Sequence, residues 1–217
     1  MNGLFSPDSR FMRYMTRFAD LMILNLLFFL TAIPIVTIGA SWTALYTVCF
    51  QLGTVREGST FRNYFRAFRE NFGQATKLWL LGLAWGLGTG ACALLFYAMS
   101  GWMHYFFILF AALFAVVVLM FGYVFPLQSQ FENSIKSTLK NALLLCLGYL
   151  PRSIVMGVLN MFPFIMLATD YLTFWKAAFA WVFIWFAAAA YADTLLLKKV
   201  FAPYLKEEEN DCTQDEA

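Results

Sequence analysis

Residues 111–120 read AALFAVVVLM and residues 179–190 read FAWVFIWFAAAA. Neither stretch alternates apolar with polar residues, as the strands of a membrane barrel do. Lipid offers the backbone no hydrogen-bond partner, so apolar runs of this kind must pair their own N–H and C=O groups, which helices do. The rest of the chain follows the same pattern: its 217 residues are 61% hydrophobic, 19% aromatic and only 13% charged, against roughly 25% charged in soluble domains. The expected fold class is all-α, a polytopic membrane helix bundle.

A hydrocarbon core about 30 Å thick calls for roughly 20 residues of helix. Such spans fall near residues 18–36, 38–55, 76–98, 103–125, 152–169 and 174–197, about six transmembrane helices within a membrane domain over 1–205. The second carries Ser41, Thr43, Thr47 and Gln51, which leaves a re-entrant or tilted segment open. Arg10, Arg13 and Arg17 ahead of an apolar run imitate a secretory signal, but apolar sequence resumes from Ile38, so the run reads as an uncleaved first span.

Lys and Arg collect in cytoplasmic loops. With six spans, the side that holds both termini carries every basic residue except Lys176. The opposite side has Asp170, His104 and a belt of Tyr97, Trp102, Tyr105, Tyr171 and Trp175. The expectation is a cell-membrane protein with both termini cytoplasmic. Residues 206–217 hold six of the thirteen acidic residues and are expected to be a disordered tail. The remainder is strongly basic and suits an anionic lipid surface.

Between the second and third spans, Phe61, Phe65, Phe68 and Phe72 recur at helical spacing, with Arg62, Arg66 and Arg69 one residue behind. This predicts an amphipathic helix at the inner membrane surface. It reads either as a connector that tucks its phenylalanines under the bundle or as a docking helix for a partner. A related segment begins at Phe131, and the chain parses into three units of a surface helix plus two spans.

Gly82, Gly86 and Gly90 lie four apart on the third span and predict a close helix approach. The candidate intramembrane polar contacts are Asp20, Asn25, Arg152, Asn160 and Asp193. Charges at bilayer depth pair, face a cavity or snorkel to the interface. Arg152 and Asp193 fall at similar depth near the inner ends of adjacent spans and are expected to pair. Asn25 and Asn160 are the strongest polar groups near the midplane, Asn160 three residues before a kink at Pro163. With no midplane carboxylate expected, an ion-coupled pump is disfavoured.

Cys49, Cys92, Cys146 and Cys212 are widely spaced and read as small apolar fillers, and His104 stands alone. The chain has no Gly-x-Ser-x-Gly elbow, P-loop or His-Glu-x-x-His motif. No enzymatic activity, cofactor, metal or nucleic-acid partner is expected.

The order Phe18-Ala-Asp20-Leu, Asn25-Leu, Ile33-Pro34-Ile-Val-Thr-Ile-Gly-Ala40, the Phe61 to Gln74 stretch, Pro126-Leu-Gln128, Phe131-Glu-Asn133 and Leu139-Lys140-Asn141-Ala142 resembles the YesL family of bacterial membrane proteins over roughly residues 1–205. The resemblance implies an integral membrane protein associated with carbohydrate-uptake loci that contain ABC-type sugar importers. It brings no family site residues. An accessory or regulatory membrane component, in contact with the bilayer and with importer subunits, is the function it implies. The segment from Phe131 to Leu150 loosely resembles the coupling helix of importer permeases but lacks their acidic-Ala-Ala and glycine pattern. The alternatives are a permease for a small neutral solute, with Asn25, Asn160 and aromatic residues along its path, and a membrane scaffold that transports nothing.

Overall fold

The computed structural model describes residues 10–52 and 59–215, the side chains of Arg10, Arg13 and 203–215 excepted. The described chain is helical nearly throughout: α1 (Arg10–Ala32), α2 (Ile38–Gln51), α3 (Thr60–Ala98), α4 (Phe106–Gln130), α5 (Ile135–Gly148), α6 (Leu150–Thr169), α7 (Tyr171–Lys176), α8 (Ala178–Ala180) and α9 (Phe186–Asp215). Short 3₁₀ turns precede α2 and α4, and a π-helical turn, Trp181–Trp185, joins α8 to α9. No strand occurs among the described residues.

Among the described residues, five helical segments are long and apolar enough to cross a membrane: Tyr14–Ala32, Thr60–Ala98, Gly101–Gln130, Leu150–Thr169 and Ala178–Ala202. The sixth expected span is different. α2 has 14 residues, about 21 Å of helix, too short to cross about 30 Å of hydrocarbon alone. Residues 53–55 of the expected second span lie outside the described residues. α2 nevertheless returns the chain to the end where α1 begins: Gln51 and Leu52 line one pocket with Thr16 and Asp20.

α2 is also the best-buried helix, with ten of its residues inside. Its small residues explain this: Gly39, Ala40, Ser41 and Ala44 let neighbouring helices approach. A Cβ on Gly39 would lie 2.5 Å from both the Ala75 carbonyl oxygen and Trp79 Cβ. α3 therefore packs backbone to backbone along α2. Trp79 then donates its indole N–H to the Ile35 carbonyl at 2.8 Å, closing the turn between α1 and α2. Thr31 and Tyr64 share a 2.7 Å hydrogen bond between hydroxyls, so α1 and α3 are tied as well.

The expected surface helix is not a separate element. With no proline between residues 60 and 98 to break it, the Phe/Arg segment and the third span form one 39-residue helix. That length is about 58 Å. Only its second half is free of charge after Lys77. The inward stripe of the first half is Asn63, Tyr64, Ala67, Ala75 and Leu78, while Phe61, Phe65 and Phe72 face outward. Of the four phenylalanines, only Phe68 packs against the bundle. The three-unit parse weakens accordingly, because α5 and α6 break at Tyr149 whereas α3 does not.

α3 and α4 form an antiparallel hairpin whose turn is set by Gly101, at φ +76°, a conformation that side-chain-bearing residues rarely adopt. The Phe96 and Phe110 rings stack near one end, 5.3 Å apart. At the other, Gln74 donates to Gln128 Oε1 at 2.9 Å, and Gln128 donates to Asn71 Oδ1 at 3.3 Å. The glycine face behaves unevenly: a Cβ on Gly82 would strike the Phe121 ring, whereas Gly86 has only atoms at 4.0 Å and Gly90 at 3.6 Å. Close approach holds at Gly82. At Gly86 and Gly90 the helices instead bound an apolar groove of about 760 Å³.

At the far end, Asp170 caps α7 by accepting from the Thr173 N–H at 3.1 Å and from the Thr173 hydroxyl. These bonds from Thr173 hold its carboxyl below the usual range. α9 continues to Asp215, so the backbone of residues 206–215, expected to be disordered, is helical. Glu207, Glu208 and Glu209 are good helix formers and extend a helix already nucleated in the span.

The steric contrast yields a test. Gly39→Ala should destabilise the bundle by about 1–3 kcal/mol, since the clash is with backbone. Gly86→Ala should be neutral or gain up to about 1 kcal/mol from helix propensity. Thermal unfolding of both variants in nanodiscs checks the order, and a more damaging Gly86→Ala would contradict the packing described.

Candidate functional site

Tyr46 on α2, Asn160 on α6 and Asp193 on α9 meet inside the bundle. The Tyr46 hydroxyl donates to Asp193 Oδ2 at 2.8 Å. Asn160 Nδ2 donates to the same oxygen at 2.6 Å and to the Met156 carbonyl at 2.9 Å. Asp193 is 0% exposed and Tyr46 2%. The other carboxylate oxygen, Asp193 Oδ1, is buried and has no hydrogen-bond partner, and the same holds for Asn160 Oδ1. A carboxylate in a helix bundle is costly unless paired, and such residues mark ligand, ion or proton sites more often than structural ones.

The expected Arg152–Asp193 pair does not form. Arg152 instead lies over the Tyr149 ring, 5.1 Å from its centroid, a cation–π contact that leaves Asp193 to other partners. The reason is the position of the last span. It covers 178–202, not 174–197, which moves Asp193 from the end of a span to its interior. Asp20 likewise stands apart, accepting at mid-α1 from the hydroxyl of Thr60, the first residue of α3, at 2.7 Å.

Asn25 has a different task. Its Nδ2 donates to the Trp181 and Val182 carbonyls at 3.0 and 2.6 Å, and its Oδ1 accepts from the Ala187 N–H at 2.9 Å. A π turn displaces backbone groups from their usual partners. Asn25, wholly buried on α1, supplies replacements on both sides of that turn. It is fully occupied and does not line a path with Asn160.

Pro163 acts in a similar way. Having no N–H, it leaves the carbonyl of residue 159 without its helical partner. Trp185 donates its indole N–H to that Leu159 carbonyl at 3.3 Å. Asn25 and Trp185 together fix α9 against α1 and α6, and thereby fix the height of Asp193.

A cavity of about 110 Å³ adjoins the cluster, lined among others by Trp42, Tyr46, Trp79, Phe121, Phe125 and Asn160. It shares Trp79, Val118, Phe121 and Met161 with the larger groove between α3 and α4. Tyr46 and Trp42 are the site residues that sequence reasoning missed. Their signal was their location on the one apolar segment too polar and too short to be a plain span. Among the described residues, no group of three His, Cys, Asp or Glu side chains could hold a metal ion.

Removing Asn25 should take a buried hydrogen bond from the Ala187 N–H and from the Trp181 carbonyl, and a part-buried one from the Val182 carbonyl. Asn25→Ala is therefore expected to cost about 1–3 kcal/mol or more, read as a lowered unfolding temperature. An unchanged temperature would mean that water or another side chain satisfies the π turn.

Comparison with known proteins gives one match. No curated protein and no solved structure matches the chain. The family model of DUF624, described as a protein of unknown function, matches residues 21–92, about a third of the chain and the part that contains Asn25, Tyr46, the Phe/Arg face and Gly82, Gly86 and Gly90.

Proposed function

We propose that the chain is an accessory membrane component of the YesL type, acting beside an ABC-type carbohydrate importer and catalysing no reaction itself. The observation that supports this most is the outer face of α3. Phe61 is 56% exposed, Phe65 and Phe72 are exposed with it, and Arg62, Arg66 and Arg69 stand alongside, all exposed. Phe68 is half-buried at the margin. Lipid tails could cover the phenylalanines, but a row of arginines among them suits the headgroup zone or an acidic partner surface. The resemblance along the chain, rather than any site geometry, supports the carbohydrate context. A neutral-solute permease is less well supported, since Asn25 serves the backbone and the remaining polar centre contains a carboxylate.

The partition of basic residues supports a cell-membrane location with both termini cytoplasmic. In a cysteine-free background, Ser59→Cys and Ser137→Cys should resist an impermeant thiol reagent on intact cells, and Ser100→Cys should react. Labelling at 59 or 137 would reverse the orientation.

Replacing Arg62, Arg66 and Arg69 together with Gln removes roughly 1 kcal/mol of surface attraction per residue and the Arg66–Asn63 hydrogen bond, while Tyr64, Ala67, Ala75 and Leu78 of the inward stripe keep their contacts. Equal membrane abundance, reduced recovery of importer subunits and slower growth on the imported sugar are expected. Unchanged recovery and growth at equal expression would assign this face to lipid alone.

A further inference from the structure

We propose that the cavity beside Asp193 is a binding site for a small organic monocation, an alkylammonium group, distinct from the α3 contact face. Five of its walls are aromatic: Trp42 and Tyr46 from α2, Trp79 from α3, and Phe121 and Phe125 from α4. Aromatic faces carry negative potential and attract an ammonium ion when water is excluded. No Lys or Arg lines the cavity. Trp42 and Tyr46 lie nearly parallel, their centroids 5.8 Å apart, and Phe121 packs edge-on to Phe125 at 5.9 Å.

The countercharge lies one hydrogen bond behind the wall. Tyr46 and Asn160, both lining residues, converge on Asp193 Oδ2. The amide oxygen of Asn160 and the second oxygen of Asp193 are both buried without a partner, and among the described residues no basic side chain forms a salt bridge with Asp193. An ordinary structural carboxylate would have its second oxygen satisfied. An orphaned acceptor on the cavity wall, Asn160 Oδ1, with a carboxylate directly behind it, fits a positively charged occupant better than a neutral one, which would leave the carboxylate uncompensated.

Size and access agree with this. A volume of about 110 Å³ holds several water-sized groups, enough for an ammonium head of a few heavy atoms. The groove beyond it is apolar and is walled by Gly82, Gly86 and Gly90 on α3 and by Phe114 on α4. It could take the hydrocarbon part of an amphipathic amine, while the cavity takes the charge. The small side of α3, read from the sequence as a packing face, on this proposal keeps that route open.

The test uses the full chain in nanodiscs, titrated with tetramethylammonium chloride, with Trp fluorescence as the readout. Sodium chloride at equal ionic strength and the uncharged tert-butanol serve as comparisons. A saturable response to tetramethylammonium alone is expected. Asp193→Asn should weaken it about tenfold or more, and Phe121→Leu, which removes one ring from the cavity wall, should weaken it several-fold. If Asp193→Asn does not fold, the Phe121→Leu comparison and the contrast with tert-butanol still decide. No saturable response, an equal response to tert-butanol, or unaltered affinity in folded Asp193→Asn or in Phe121→Leu would each overturn the proposal. A site that holds only a proton gives the first of these results.

Discussion

Most polar groups buried in this bundle find their partners within the chain, and the helices are positioned where those partners meet. Asn25 can satisfy the π turn only if α1 and α9 touch at that height. Trp185 can reach the carbonyl freed by Pro163 only if α6 lies beside α9. Those two anchors set the register of α9, and Asp193, one to two turns further on, then arrives opposite Tyr46 and Asn160. α2 makes the arrangement possible. It is short, rich in small residues and buried over most of its length, so it serves as the axis on which the longer helices pack.

Much of this architecture was legible from composition. Apolar runs without alternation required helices, and their lengths located the five long spans to within a few residues, apart from the start of α3. Pro163 marked the place where α6 needs outside help. Other features were hidden for physical reasons. The Phe61 to Phe72 periodicity correctly indicated a helix with two faces, but when the surroundings are lipid the apolar face can point outward. Here the inward stripe is Asn63, Tyr64 and Ala67. Glycine spacing likewise identified a face without telling how closely a neighbour fills it: Phe121 presses on Gly82, whereas Phe114 and Val117 only reach 4.0 Å at Gly86. The tight contact at Gly39 depends on how α2 folds back on α3, and no local pattern encodes it.

The polar site was half legible. Asn160 and Asp193 stood out as costly residues in apolar stretches, but their partnership did not, because a shift of about one helical turn in the last span changes which groups share a level. Arg152 therefore seemed the natural partner for Asp193, while the aromatic ring of Tyr149 holds it. A carboxylate inside the bundle also removes the argument that set ion-dependent behaviour aside. The proposed accessory role and the proposed cation site place function in two separate regions, the outer face of α3 and the cavity among α2, α3, α4 and α6 in front of Asp193. A ligand in that cavity would touch four helices at once and so could bias how they pack.

The account rests on Asp193 being held from α2 and α6. A double-mutant cycle of Tyr46→Phe and Asp193→Asn, read by reversible unfolding in a defined lipid environment, tests that most directly. Direct contact predicts a coupling of about 1 kcal/mol or more between the two changes. Additive effects, together with coupling between Arg152→Ala and Asp193→Asn, would contradict it and return the carboxylate to the membrane surface.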